Sequence, residues 1–503
     1  MRKKKLLYNI VSSLTYQVVL FVSGFIIPRF ILRAYGSEVN GLVTSLTQFL
    51  GFISLLDLGV GAVVQSALYK PLSEGNMQRV SEIVNYSKKF FRTVASLFLI
   101  YIVGLCIIYP SQIKSNFNPT YIVSLIVIIS ISLYAQYFFG IANQLLLNAD
   151  QRLYVQNIIN TITVILNTVL SVIFILMGGS IHIVKLTTSC VFLLRPLLLS
   201  AFVKKFYKID RNIKASGEVV DQKWSGLAQH CASVVMNNTD VFVLTIFASL
   251  TDVSIYSVYH LVVIGVRQFV QAFTNGFNAL FGNIYAKKEK ELLDKTFNSY
   301  ESLLNYLVVS VFTVTSIMIV PFVSIYTKGV DDVDYTYPLF GILMAIGQAL
   351  FCLRLPYNTM IVAAGHYKQT QKSAMIEMLI NIVLSIVLVF KYGLIGVAIG
   401  TIAAIIYRTL YFVYYLSRNI MKRSIKPFIV HIAVDVIFIL VAVFASRVIS
   451  TEPETYSQWM IVAIQKSVIV FVVGLIINVL FFKSDYIYIL NKFIRRKNNS
   501  HSY

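Results

Sequence analysis

The sequence predicts an all-α polytopic membrane protein with about 14 transmembrane helices, set out as two parallel six-helix lobes plus a C-terminal helix pair. Three observations lead there. Of 503 residues, 57% are hydrophobic and only 13% charged, against roughly 25% charged in soluble domains. Lipid must then be the solvent for much of the chain. The apolar stretches are also continuous, and they match the roughly 20 residues a helix needs to cross about 30 Å of hydrocarbon. A membrane barrel would instead alternate over about ten residues per strand. Finally, the second half of the chain echoes the first.

Spans are expected near 6–34, 41–68, 90–109, 119–147, 155–178, 181–203, 225–250, 254–285, 299–326, 337–364, 373–390, 393–417, 427–449 and 458–482. The first follows Met1-Arg2-Lys3-Lys4-Lys5 and stays apolar to about Leu32. That is too long for a signal-peptide core, and no small-residue cleavage site follows, so it reads as a retained span. The domains expected are an N-lobe at 1–203, a basic linker at 204–224, a C-lobe at 225–417, and the last two spans with a basic tail at 418–503. No loop has room for a soluble catalytic domain. Cys106, Cys190, Cys231 and Cys352 lie in apolar stretches without metal-ligand spacing.

Net charge is +21. Nucleic acid is not the expected partner, because the basic residues sit in alternating loops. One side holds Arg2 to Lys5, then Lys88, Lys89 and Arg92, Lys204 to Lys223, Lys287 to Lys295, and Arg418 to Lys426. The opposite loops hold little beyond Arg33, Lys114, Lys328, Lys391 and Arg447, with Asp331, Asp332 and Asp334. The positive-inside rule predicts both termini in the cytoplasm of a plasma-membrane protein, hence an even number of spans. Trp224 and Trp459 fall at span ends, where interfacial anchors belong.

The echo is a shift of about 214 residues. Asn167 to Phe174 (NTVLSVIF) recurs as Asn381 to Leu388 (NIVLSIVL), Gly179 falls on Gly393, and Arg195 nearly on Arg408. The shift equals six spans, so both halves share one orientation. Transporters with such parallel repeats rock two lobes about a shared site.

Ionisable residues inside spans are costly and are functional suspects. Arg29, Arg33, Arg195 and Arg408 lie toward span ends, where snorkelling and helix packing are the competing readings. Glu377 reads as structural, and Asp435 and Lys466 as a pair in the last two spans. Asp57, Asp240, Arg267 and Arg354 lie deeper. In the eighth span His260, Arg267, Gln271, Asn275 and Asn278 recur at steps of seven, four, four and three, so one helical face carries them. Such a stripe faces a cavity or an interhelical hydrogen-bond seam. Arg267 and Arg354 balance Asp57 and Asp240, and Arg29, Arg195 and Arg408 leave cations in excess. Arginine takes phosphate oxygens two at a time, so the expected ligand carries phosphate or pyrophosphate. No phosphate-cradling Gly-rich Lys loop, zinc-protease His pair or Gly-x-Ser-x-Gly elbow is present. The chain is therefore expected to be no enzyme and to need no cofactor.

Ile27 to Leu42 (IPRFILRAYGSEVNGL), Leu55 to Gly61 (LLDLGVG), and Asn148-Ala149-Asp150 with Arg152 resemble segments of polysaccharide-biosynthesis exporters. With the span count and the repeat, the chain resembles the Wzx-type repeat-unit flippases of the multidrug/oligosaccharidyl-lipid/polysaccharide exporter superfamily. The resemblance implies alternating access and a cationic cavity. It also implies a substrate, an undecaprenyl-pyrophosphate-linked oligosaccharide moved from the inner to the outer leaflet. Membrane lipids, the polysaccharide polymerase and glycosyltransferases would be its partners. The last two spans would hold the lipid tail. Two alternatives stand beside this reading: a multidrug or cation antiporter of the same superfamily, which would want acidic residues to dominate, and a membrane-embedded polymerase or ligase.

Overall fold

A computed structural model of the chain describes residues 2–57, 60–210, 212–213, 227–274 and 277–488. Most of the basic linker, the C-terminal tail, Asn275 and the side chain of Asp57 lie outside the described residues. Among the described residues, eleven helices are long and apolar enough to cross a membrane. Two of these are divided. α1 (Arg2–Gly51) turns at Gly36, and α14 (Tyr367–Tyr415) at Gly393. α8 (Leu227–Phe247), more polar, has the 21 residues a crossing needs. About fourteen crossings follow, as the sequence predicts.

The remaining helices are α2 (Val60–Glu74), α3 (Met77–Gln112), α4 (Pro119–Ala135), α5 (Ile141–Ala149), α6 (Leu153–Leu176), α7 (Ile181–Phe206) and α9 (Leu250–Thr274). Then come α10 (Phe277–Ala286), α11 (Lys290–Tyr326), α12 (Pro338–Leu353), α13 (Leu355–Ala363), α15 (Lys426–Ser446) and α16 (Tyr456–Phe481). Side-chain caps start several of them. Asn76 accepts from the amide of Arg79 (3.0 Å), Asn118 from that of Thr120 (3.1 Å), and Thr455 from that of Gln458 (3.3 Å).

The repeat is written in the backbone. α3 and α11, of 36 and 37 residues, start 213 positions apart and end 214 apart. Left-handed turns recur as Gly75 and Lys288, Gln151 and Gly365, and Gly178 and Gly393, at offsets of 213, 214 and 215. The turning partner of Gly393 is thus Gly178 rather than Gly179. Among the described residues three of the predicted single spans are interrupted, the fourth and tenth in register. The second passes through a 3-10 turn (Phe52–Asp57) before α2. The fourth carries a π turn (Gln136–Gly140), and the tenth breaks at Arg354.

By its packing the chain forms two compact units, 1–255 with 329–333, and 256–328 with 334–503. In the first, the N-terminal half of α1 lies along α6, and Leu42, Leu46 and Leu50 of its other half are buried against Phe98 and Leu125. Asp332 caps that second half, accepting from the Ser37 amide (2.7 Å) and hydroxyl (2.8 Å). Gly36 permits this on two counts. Its φ is +81°, and a Cβ there would stand 2.9 Å from the Asp332 carboxylate. α8 joins the same unit through a polar seam in which Ser45 meets Thr245 at 2.7 Å, with Tyr109 donating to Ser45 at 2.7 Å.

In the second unit α15 and α16 dock on α11. Trp459 donates its indole N–H to the Met318 carbonyl (3.1 Å), Tyr306 its hydroxyl to the Phe471 carbonyl (2.9 Å), and Asn305 its amide to Asp435 (3.1 Å). Asp435 therefore pairs with an amide on α11 and not with Lys466, as the sequence had indicated. Outer faces are apolar throughout. On α3, Leu97, Ile100, Val103 and Ile107 are exposed, while Val94, Phe98, Ile102 and Leu105 are buried.

A Cβ on Gly41 would lie 1.7 Å from the Leu250 carbonyl oxygen, whereas Gly104 has nothing within 4 Å. Gly41→Ala should cost roughly 1–3 kcal/mol through overpacking. It should lower the melting temperature of the purified chain, with Gly104→Ala unchanged as the control.

Candidate functional site

The second unit assembles a ladder of arginines and phenylalanines around one carboxylate. Its first member stands on α9, where His260, Arg267 and Gln271 share a face and are half-buried. Asn278 belongs to α10 and is exposed. His260 stacks on Tyr256, with ring centres 5.3 Å apart.

The second member sits where α12 gives way to α13. Pro356 has no N–H to continue the ladder, so the helix breaks at Arg354. The Arg354 amide still donates to Leu350 (3.2 Å), and its carbonyl accepts from Asn358 (3.1 Å). The break costs few backbone bonds and leaves a guanidinium 7% exposed inside the bundle.

α14 brings the anion and the third cation. Glu377, 1% exposed, accepts from Arg354 at one oxygen (2.5 Å) and from Arg408 at the other (2.5 Å). Phe412 lies between these arginines, with guanidinium carbons 5.8 and 5.0 Å from its ring centre. Phe351 links Arg354 to Arg267, each 4.8 Å from its centre. The Arg267 and Arg354 guanidiniums are thus at most twice that distance apart. Arg267 also donates to Gln348 (3.2 Å).

Charge decides what this arrangement does. Glu377 satisfies the pair it bridges but cancels only one of three positive charges. Among the described residues no carboxylate lies within 4.0 Å of Arg267. The Phe351 ring face and a neutral amide solvate it instead, the former worth up to about 2 kcal/mol when dry. At an effective dielectric of about 20, Arg267 and Arg354 repel by on the order of 2 kcal/mol. An anion with several acceptor oxygens would relieve that repulsion.

The repeat supplies an internal comparison. Glu377 corresponds to Thr163, Arg408 to Arg195 and Arg354 to Gly140, at offsets of 213 or 214. In the first unit Arg195 donates to Thr163 (2.8 Å) and lies 3.8 Å over Phe192, while Gly140 packs on Pro196. One contact is kept in both halves, but only the second half charges it fully. The snorkelling reading of Arg408 does not hold, since its side chain is 10% exposed and ion-paired.

Of the residues the sequence singled out, Arg267 and Arg354 come together, with Gln271 and His260 on the helix that carries the first. Asp240, buried on α8, and Arg29, half-buried on α1, belong to the first unit. Asp57 lies in the 3-10 turn. Sequence reasoning missed Gln348 and Phe351. Gln348, Phe351 and Arg354 follow one another at steps of three, which places them on one side of the helix and was the available signal. It also missed a second buried cluster. There Glu301, 1% exposed, accepts from Tyr357 and from Arg423 (2.8 Å), which also donates to Asn298 (2.6 Å).

No protein-family model matches this sequence, and neither does any curated protein. Solved structures do. Lipid II flippase MurJ in an inward closed conformation gives a TM-score of 0.69 at 16% identity, over 95% of this chain and 99% of that one. An inward-facing multidrug resistance MATE family transporter of the MOP superfamily gives 0.60 at 14%, over 81% and 98%. A MOP superfamily transporter from Pyrococcus furiosus, described as having a binding pocket of reverse polarity, gives 0.56 at 12%, over 84% and 97%. At these identities the likeness is one of fold.

Removing the carboxylate of Glu377 would leave two buried guanidiniums uncompensated, a loss of about 3–5 kcal/mol. Glu377→Gln should therefore lower the melting temperature sharply. Arg267→Met breaks no ion pair and should leave it unchanged or raised. A large drop for Arg267→Met would mark that arginine as structural.

Proposed function

We propose that the chain is a flippase for undecaprenyl-pyrophosphate-linked oligosaccharide repeat units, such as those of capsule, O-antigen or exopolysaccharide. It would carry them from the cytoplasmic to the outer leaflet by alternating access, with both its termini in the cytoplasm. The observation that carries the reading is the surplus of guanidinium charge at half-buried Arg267 and buried Arg354, held within a helical bundle by Phe351 and Gln348. A buried cation without a carboxylate partner is expensive in a span and marks a ligand path. A pyrophosphate offers the acceptor oxygens and the charge that two such arginines fit. The fold is shared with a protein named as a lipid II flippase, which supports a flippase reading. The polymerase and glycosyltransferases of the same glycan would be its working partners.

A multidrug or cation antiporter is the second reading, since the fold is equally that of MATE transporters. It would need acidic groups to dominate, and the ladder holds three arginines to one glutamate. Reverse pocket polarity is described for the transporter from Pyrococcus furiosus, so the fold accommodates departures from the antiporter pattern. A polymerase or ligase would need a surface loop bearing acidic or His residues, and the loops among the described residues are short.

In cells depending on this chain for a surface glycan, Arg267→Ala and Arg354→Ala should each cut surface polysaccharide at matched protein levels. A fall of roughly tenfold or more is expected for Arg267→Ala, given about 2–5 kcal/mol for a desolvated charge contact. Lipid-linked units should accumulate facing the cytoplasm. Single units displayed outside would point to a polymerase, and unchanged polysaccharide in both variants would overturn the assignment.

A further inference from the structure

The first unit holds an apolar groove that the flippase reading does not use. It runs between the N-terminal half of α1 and α6, with a volume of about 430 Å³, inside the roughly 300–1,000 Å³ of ordinary ligand sites. Tyr8, Val11 and Thr15 form one wall, and Tyr154, Ile158 and Ile162 the other. The hydroxyls along it are turned inward to their own helices. Ser12 donates to the Asn9 carbonyl (3.2 Å), Thr15 to Val11 (3.0 Å) and Thr161 to Asn157 (2.7 Å). What remains on the walls is methyl, methylene and ring. Val11, Ile158 and Ile162 are about half exposed, so the groove opens to whatever surrounds the helices.

One end of the groove is charged. Tyr8 is three residues from Lys5 and four from Lys4, and Tyr154 is two from Arg152. The two tyrosine rings meet there at 5.8 Å. Asp150 holds this end together, accepting from Lys5 (3.2 Å) and Tyr207 (2.5 Å) and pairing with Arg152 (2.7 Å). One carboxylate thus faces two cations, and Lys4 beside them is exposed. The opposite end, toward Thr15 and Ile162, has no charged residue within a helical turn on α1 or α6, and the guanidinium of Arg195 on α7 that reaches it is held by the Thr163 hydroxyl (2.8 Å).

We propose that this groove binds an anionic phospholipid of the leaflet that the N-terminus meets. Its phosphate sits at the Lys4, Lys5 and Arg152 end, and the start of one acyl chain lies between α1 and α6. A chain alone would fit any stretch of the lipid-facing surface. The cluster of Lys4, Lys5 and Arg152, with one carboxylate among three cations, selects a negatively charged head group. The occupant is a resident lipid, and the inference does not rest on the flippase reading.

Native mass spectrometry of the full chain in detergent tests this, with phosphatidylglycerol and phosphatidylcholine of identical chains as probes. The wild type should retain phosphatidylglycerol in preference. Lys4→Gln with Lys5→Gln should weaken that retention by roughly fivefold per lysine, the contribution of one cation near a membrane surface, and leave phosphatidylcholine unaffected. Ile158→Trp with Ile162→Trp fills the groove from exposed positions and should abolish the preference. Leu379→Trp, exposed on α14, should not. Equal retention of the two lipids by the wild type would overturn the proposal. So would unchanged phosphatidylglycerol retention in the double tryptophan variant at wild-type melting temperature.

Discussion

Hydrocarbon offers no hydrogen bonds, and this constraint orders the rest of the structure. A helix that breaks inside a membrane must satisfy its freed backbone groups from within the protein. The breaks here meet that condition. At Arg354 the backbone bonds continue on both sides of the interruption, with the Arg354 amide on Leu350 and its carbonyl taking Asn358. At Gly140 the π turn closes against Pro196, where a Cβ would come within 3.2 Å of the proline. The second half of α1, freed by the turn at Gly36, finds its cap in Asp332. Each of these three departures from regular helix finds its partner within the protein.

The same absence of water makes charge the scarce quantity. A soluble domain can leave an arginine on its surface at little cost, but a span cannot. The second unit resolves this in two ways. Glu377 and Glu301 each draw two cations or donors onto one carboxylate, which fixes α11, α13 and α14 relative to one another within that unit. Arg267 is handled differently, by a ring face and an amide. Those partners lower the energy of the cation without neutralising it. Burial of that kind is poor as cement and well suited to a ligand that arrives with its own negative charge.

Much of the fold was legible in the sequence, because the signal for a membrane helix is composition over a fixed length. The spans, the repeat and Arg267 with Arg354 as deep cations could all be read from residue type and spacing. The breaks could not. Span 2 reads as one apolar run through Phe52–Asp57, and only packing turns it into a 3-10 segment. Pairings across distant helices were equally hidden. Nothing in the sequence assigns Asp435 to Asn305 rather than Lys466, since both partners lie in apolar surroundings and the choice depends on which helix α15 meets. Glu377 was recognised as structural, but its bridging role needed the positions of Arg354 and Arg408, 23 and 31 residues away. Gln348 and Phe351 passed unnoticed because an amide and a ring in a span are commonplace until a guanidinium is found beside them.

The paired turns have a consequence for anyone wishing to handle this protein. At two of the three, one half uses glycine where the other strains a side chain into the same left-handed backbone: Gly75 against Lys288, and Gly365 against Gln151. Strain of that kind costs on the order of 1–3 kcal/mol per residue. Duplication and divergence have left each half as a tested template for the other. A more robust protein for purification can therefore be designed without any relative for guidance, by copying the relaxed solution of one half into the other.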